Sequence, residues 1–169
     1  FVIFNTAAFF LPAVPWVLKL ARSPVIGEVI LRGLNGFAGL AVRLAMVHHE
    51  RMTPQVKAGY LAPYDNWQNR IAIYRFVQDI PVGPTHPSRH TLNEIDTGLA
   101  QFQNYPMLII WGAQDFVFTV KDFLTEWQRR FPAAEVHVLK DAGHYVVEDA
   151  HERILPWIRA FLDSSLRSE

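Results

Sequence analysis

The 169 residues predict an α/β fold built on a small, mainly parallel sheet. Three observations lead there. Two short apolar runs, Phe1–Phe4 and Met107–Trp111, and the valine-bearing segment Glu135–Leu139 are too short for helices and rich in strand-forming residues. A longer helical pattern follows each run, and parallel strands need such crossovers to connect them. Half of the residues are apolar, enough to cover a sheet on both faces. Three strands are few for an open sheet of this class, so the sheet is expected to be incomplete.

The elements are justified in chain order. Phe1-Val2-Ile3-Phe4 reads as a buried strand. Trp16 to Ala21 is a short helix stopped at Ser23-Pro24, and Val25 to Leu31 is another, ended by Gly33. Phe37 to His48 is apolar at nearly every position, which suits a helix buried on more than one side. Thr53 is placed to cap a helix that begins with Pro54, runs through Tyr60 and stops before Pro63. Asp65 caps the next, whose apolar side is Trp67, Ile71, Tyr74 and Phe76. Pro81, Pro84 and Pro87 make a loop, and Ser88 to Phe102 forms one more helix, with Thr91 and Glu94 as a capping box. Met107–Trp111 is then a buried strand ended by Gly112. Val120 to Phe131 is a helix with Phe123, Leu124, Trp127 and Phe131 on one side. Glu135–Leu139 is the third strand, and Ala150 to Leu166 an amphipathic closing helix. The organisation is therefore 1–11 core strand, 12–103 helical insert with its return helix, and 104–169 the rest of the strand-bearing core.

Composition excludes several classes. There is no cysteine, hence no disulfide scaffold and no thiolate chemistry. Sixteen basic and sixteen acidic residues leave no net charge, and no basic stripe exists for a nucleic-acid partner. The eighteen uncharged residues before Lys19 approach a membrane span in length, but Asn5, Thr6, Pro12 and Pro15 interrupt them. Neither a transmembrane segment nor a signal peptide is expected, which points to the cytoplasm. Charged residues are only 19%, against ~25% in an ordinary domain, so part of the surface is expected to be covered. A domain rarely starts inside a buried strand, and the chain is read as the second part of something longer.

Functional groups in open α/β sheets sit just past the carboxyl ends of the strands. Asp115 lies four positions past Trp111, and His144 five past Leu139. Adjacent parallel strands would bring these loops together. A carboxylate beside an imidazole fixes its tautomer and stabilises the imidazolium, as a general base requires. Gly143 would allow an unusual backbone and close approach before His144. The competing reading makes Asp115 a helix cap and His144 part of a surface turn. His48-His49-Glu50 is read as a solvated helix end, because adjacent helical residues face different ways. His86 and His90 fall in a proline loop, and His137 and His151 are taken as surface residues. Glu148 and Asp149 are read as first-turn acids that favour the helix dipole. No metal site and no cofactor are expected.

Trp111-Gly112-Ala113-Gln114-Asp115, the Phe-Pro-x-Ala-Glu strand entry and Asp141-Ala142-Gly143-His144-Tyr145-x-x-Glu148-Asp149 together resemble the closing end of an α/β-hydrolase. The resemblance implies a partial α/β-hydrolase fold with its N-terminal strands absent, and a helical cap inserted between strands six and seven. Asp115 matches the acid and His144 the histidine of that family's triad. Trp111 to Phe118 and Asn5 to Phe9 are similar to the haloalkane dehalogenase-like branch. Within that branch four segments resemble the β-lactone decarboxylases of bacterial olefin biosynthesis: Arg32 to Phe37, His48 to Pro54, Gly59 to Tyr64 and Phe76 to Pro81.

Some dehalogenases carry the acid after strand six. Asn5 holds that place here, which leaves the role to Asp115. The stretch Asn35–Leu40 lacks the Trp that donates to a departing halide in another branch, which fits a substrate without halide. No Gly-x-nucleophile-x-Gly elbow occurs in these residues, so the resemblance implies an Asp nucleophile before Phe1 and a chain inactive alone. It implies an ester intermediate on that aspartate, hydrolysed by water that His144 activates. For a β-lactone it implies loss of CO₂ and release of a long-chain alkene. Phe37, Leu40, Leu44, Trp67, Phe76, Phe116 and Phe118 are the candidate walls of a tunnel for a hydrophobic small molecule. For any single one of them, ordinary core packing is the favoured reading. The expected partner is the N-terminal half of the same enzyme or another copy of the chain. The rivals are a haloalkane dehalogenase or other small-molecule hydrolase, and a catalytically inactive binding or interaction subunit.

Overall fold

In the computed structural model, which describes residues 1–10 and 16–166, three strands run parallel in the order β1-β2-β3. They are β1 (Val2–Phe4), β2 (Leu108–Gly112) and β3 (Glu135–Leu139). Ile3 stands opposite Ile109, and Ile109 opposite Val136. The central strand β2 is buried along its whole length, which is why it reads as an unbroken apolar run. Pro12 and Pro15, expected to break the opening apolar run, lie outside the described residues, as does the tail residue Ser168.

The chain forms two compact units, residues 1–7, 45–51 and 97–169 in one, and 8–44 and 52–96 in the other. The strand-bearing unit thus takes in 45–51 and 97–103, which the sequence reading assigned to the helical insert.

In the strand-bearing unit, alternate residues of β2 face opposite ways. Leu108 and Ile110 pack with Leu139, Ala142, Val146, Ala150, Ile154 and Phe161, all buried. Five of these come from the segment leading into and along α8 (Val146–Leu166), whose apolar stripe covers this face of the sheet. Each fully buried Leu or Ile here stabilises the unit by about 1.5–3 kcal/mol. The helix starts four residues earlier than its apolar periodicity suggests, and its course is broken at Ala150 (φ −149°, ψ 28°). Between β2 and β3, a π-helical turn at Val120–Leu124 leads into α7 (Thr125–Arg130). Thr119 caps that turn, its hydroxyl accepting from the Asp122 amide at 3.1 Å. Trp127 is buried, and its indole donates to the Thr6 carbonyl just past β1 at 2.8 Å.

The helical unit holds α1 (Trp16–Ala21), α2 (Ile26–Glu28), α3 (Gly36–Leu44), α4 (Pro54–Leu61), α5 (Ile71–Asp79) and most of α6 (Arg89–Gly98). Leu31, Ala38, Ile73 and Val77 form its core. The Thr53 hydroxyl accepts from the Val56 amide, as expected of the cap before Pro54. Asp65 does not start a helix: its carboxylate binds the side chains of Asn66 and Asn69, and α5 begins only at Ile71. Nor does α3 bury several sides. It ends at Leu44, buries Ala38 and Val42, and leaves Phe37, Leu40 and Leu44 exposed. The capping box at Thr91 and Glu94 is absent, because α6 is already helical from Arg89. Arg22 donates to the carbonyls of Val77, Gln78 and Ile80, satisfying acceptors that the end of α5 leaves open.

Candidate active site

The two loops that leave β2 and β3 are stitched together at the carboxyl edge of the sheet. The Ala113 amide donates to the Leu139 carbonyl and the Gln114 amide to the Ala142 carbonyl, both at 2.9 Å. This close approach explains Gly112: a Cβ there would collide with the Gly143 carbonyl and stand 2.8 Å from that of Ala142. Gly143 is needed for the same reason, its Cβ position being 2.8 Å from the Ala45 carbonyl oxygen. Its φ is not positive, so space rather than an unusual backbone is what the glycine supplies.

Asp115 is buried in the loop after β2, and Nδ1 of His144 lies 2.8 Å from its Oδ2. A carboxylate only accepts, so Nδ1 carries the proton of this contact and Nε2 is left with the free lone pair in the neutral ring. Nε2 makes no hydrogen bond among the described residues. The rest of the Asp115 carboxylate is fully occupied. Oδ1 accepts from the amides of Val117 (2.7 Å) and Phe118 (3.0 Å), and Oδ2 also accepts from the Asn5 side-chain amide at 2.7 Å. These bonds hold the acid in a single orientation towards His144. The helix-cap reading of Asp115 fails, because the helix-capping oxygen downstream belongs to Thr119.

Asn5 was legible only as a position without an acid. The structure gives it a task, since its Oδ1 also accepts from the Gly112 amide at 2.8 Å and so ties β1 to the end of β2. Asp149 is the second residue whose place the sequence hid. It is buried, and its carboxylate does not serve its own helix start but accepts from Gly143, Val47 and His48 amides. The only cue in the sequence was an acid five residues after His144, a spacing that a helix start uses equally well.

The candidate wall residues divide between the units. Phe116 is exposed beside Asp115, and the Phe118 ring lies 5.5 Å from that of His144 and 4.9 Å from Phe123. In the helical unit, Phe37, Leu40 and Leu44 share one exposed face of α3, spaced as successive turns require. Trp67 lies under the Arg32 guanidinium, 4.3 Å from its ring centre. Phe76 is exposed on an open groove with Arg75, Asp79 and His86. Of the other histidines, His48 stands 3.3 Å from Glu50 and 3.7 Å from Asp141, and His86 bonds the Gln78 carbonyl. His137 is not a plain surface residue, since it stacks on Trp157 at 4.1 Å with an interplanar angle of 6°. Among the described residues no group of three or more His, Asp or Glu side chains could hold a metal. No described helix is long and apolar enough to cross a membrane.

The family profile for the α/β hydrolase fold matches residues 39–150. The chain belongs to the α/β-hydrolase fold family. This α/β-hydrolase chain is 40% identical over 164 residues to a cis-3-alkyl-4-alkyloxetan-2-one decarboxylase of Shewanella oneidensis, covering 95% of this chain and 51% of that protein. It is 43% identical over 165 residues to a protein of the same name from Xanthomonas campestris pv. campestris, covering 96% of this chain and 54% of the relative. The α/β-hydrolase chain therefore spans about half the length of the curated relatives it matches. Among solved structures it superposes on a haloalkane dehalogenase of Agrobacterium tumefaciens C58 with a TM-score of 0.77 at 19% identity, over 96% of this chain and 57% of that one. At that identity the likeness shows the fold alone.

Proposed function

We propose that this α/β-hydrolase chain forms the cap and closing half of an enzyme that converts long-chain β-lactones to alkenes. Asp115 and His144 serve as its acid–histidine pair. The observation that carries the reading is the 2.8 Å contact between Asp115 Oδ2 and His144 Nδ1, in a chain 40–43% identical to proteins named oxetanone decarboxylases. The nucleophile in this reading is an aspartate of the complete enzyme that lies outside these 169 residues. Its carboxylate attacks the ring carbon that bears the lactone oxygen. That carbon–oxygen bond breaks, leaving an alkyl ester on the enzyme and a free carboxylate on the neighbouring carbon. The bond to this carboxylate then breaks and CO₂ leaves. Its electron pair forms the alkene, and the ester bond opens to return the aspartate. Atoms and charge balance with no water and no cofactor.

The part of His144 is to act where the ester bond opens. Asp115 stabilises the imidazolium, so an Nε2–H aimed at the departing carboxylate oxygen can take up its developing charge. The same pair with a neutral ring would instead take a proton from water and hydrolyse the ester, as a dehalogenase-like hydrolase requires. Phe118 beside His144 is proposed to contact the alkyl chains, and the exposed face of Phe37, Leu40 and Leu44 in the helical unit is proposed, by itself, as an apolar surface for a hydrophobic substrate. Trp67 and Phe76 in the helical unit and Phe116 beside Asp115 are proposed as further contacts of a hydrophobic substrate.

The test supplies the complete enzyme with a cis-3,4-dialkyloxetan-2-one in ¹⁸O-labelled water. The reading expects alkene and CO₂, with no label in the organic product. A labelled β-hydroxy acid would transfer the pair to hydrolysis, and no turnover at all would favour a non-catalytic subunit.

A further inference from the structure

We infer that Asp149 is a positioning residue that sets His144 in place through the backbone of Gly143. The inference rests on the proposed role of His144. The Asp149 side chain is 1% exposed and makes no ion pair among the described residues. A buried carboxylate is costly unless its lone pairs are met by donors. Here they are met only by main-chain amides. Oδ2 accepts from Gly143 at 2.7 Å, Oδ1 from His48 at 2.8 Å, and the Val47 amide reaches both oxygens at 3.1 Å.

The donors belong to two separate segments. One is the turn that carries His144, and the other is the run 45–51 of the same compact unit. Two further contacts lock them. The Tyr145 amide donates to the Ala45 carbonyl at 2.8 Å, and Gly143 lies against that carbonyl too closely for any side chain. His144 is thus flanked on both sides by residues whose backbones are anchored, Gly143 to Asp149 and Tyr145 to Ala45. On the far side of the ring Asp115 fixes Nδ1. Without the carboxylate, the Gly143 and His48 amides lose their acceptor, and the turn keeps the Tyr145–Ala45 and Gln114–Ala142 backbone bonds and the His144–Asp115 contact but no anchor at Gly143 itself. A histidine displaced by about 1 Å loses of order 100-fold in the step it promotes.

The experiment uses the complete enzyme and follows the covalent ester by intact-mass spectrometry during turnover of the oxetanone. In Asp149→Asn, which keeps the size but presents an NH₂ group to the amides, ester formation should stay within about twofold of wild type. Ester breakdown should slow by at least about tenfold. A purely structural role would lower both steps together by reducing the folded fraction. Equal slowing, or no slowing of breakdown in a folded variant, overturns the inference. If His144→Ala itself leaves breakdown undiminished, the functional reading fails; if it stops breakdown while Asp149→Asn does not, only the positioning role fails. Wild-type hydrogen exchange supplies a readout that needs no variant. The Gly143 and His48 amides bind the two oxygens of one buried carboxylate and should exchange at matched, slow rates. Fast exchange at Gly143 beside a protected His48 would also overturn the inference.

Discussion

Replacing Asn5 by aspartate is nearly isosteric and leaves packing intact, so its effect isolates the side-chain NH₂, which donates to Asp115 Oδ2 at 2.7 Å and to the Gly112 carbonyl at 3.3 Å. The Gly112 amide can only donate, which fixes Oδ1 of Asn5 towards it and turns the side-chain NH₂ to Asp115. In Asn5→Asp the acceptor for Gly112 survives, but a carboxylate oxygen now faces Asp115 Oδ2 where a donor stood 2.7 Å away. At that separation and an effective dielectric near 20, two charges repel by about 6 kcal/mol. Taking up a proton is cheaper: at pH 7 it costs about 4 kcal/mol for a carboxyl of ordinary pKa near 3.9. The pair therefore keeps one proton, and that O–H replaces the lost amide donor. Such a group has a folded-state pKa above its unfolded value. Its penalty is absent below pH ~4, grows as pH rises, and reaches about 4 kcal/mol by neutrality. Chemical denaturation of the complete protein at intervals between pH 4.5 and 8 measures this directly. The variant should approach wild-type stability at the acid end and fall away steadily above it. A deficit independent of pH, or none at pH 7.5, would refute the placement of the Asn5 amide against Asp115.

Other expectations follow from the same contacts. Gly112→Ala forces a Cβ onto the carbonyls of Ala142 and Gly143; urea titration should show about 1–3 kcal/mol lost, and steady-state kinetics should show a lower kcat with little change in KM. Hydrogen bonds from Arg129 and then Arg130 pull the Glu126 carboxyl down from 4.5 to about 2. The pair's contribution is complete above the ordinary glutamate range and fades as pH falls towards 2, so Glu126→Gln should cost of order 1 kcal/mol at pH 7 and nothing near pH 2 in thermal melts.

β2 could be read from the sequence because a buried parallel strand is apolar throughout and Gly112 marks where it ends, whereas the half-buried β1 and the largely uncovered β3 were legible as short segments of strand-forming residues. The Asp115 and His144 loops were legible for a topological reason: parallel neighbours place their outgoing loops side by side. What stayed hidden were residues defined by what they touch. Asn5 and Asp149 each bind atoms about a hundred positions away, a distance that no local pattern encodes. Helix starts misled where a polar side chain found partners other than a helix amide, as Asp65 did with two asparagines. The apolar run after Phe37 suggested a helix buried all round, but exposed apolar residues on α3 give the same composition. Periodicity cannot separate a face packed in a core from one awaiting a greasy ligand.

The central claim is that His144, held by Asp115, acts on an enzyme-bound ester. The most direct measurement is the intact mass of His144→Ala in the complete enzyme after exposure to a long-chain oxetanone. The account predicts a stable adduct equal to the mass of the lactone, with wild type free of it at the same time point. A variant that turns over as fast as wild type and never accumulates adduct would contradict it.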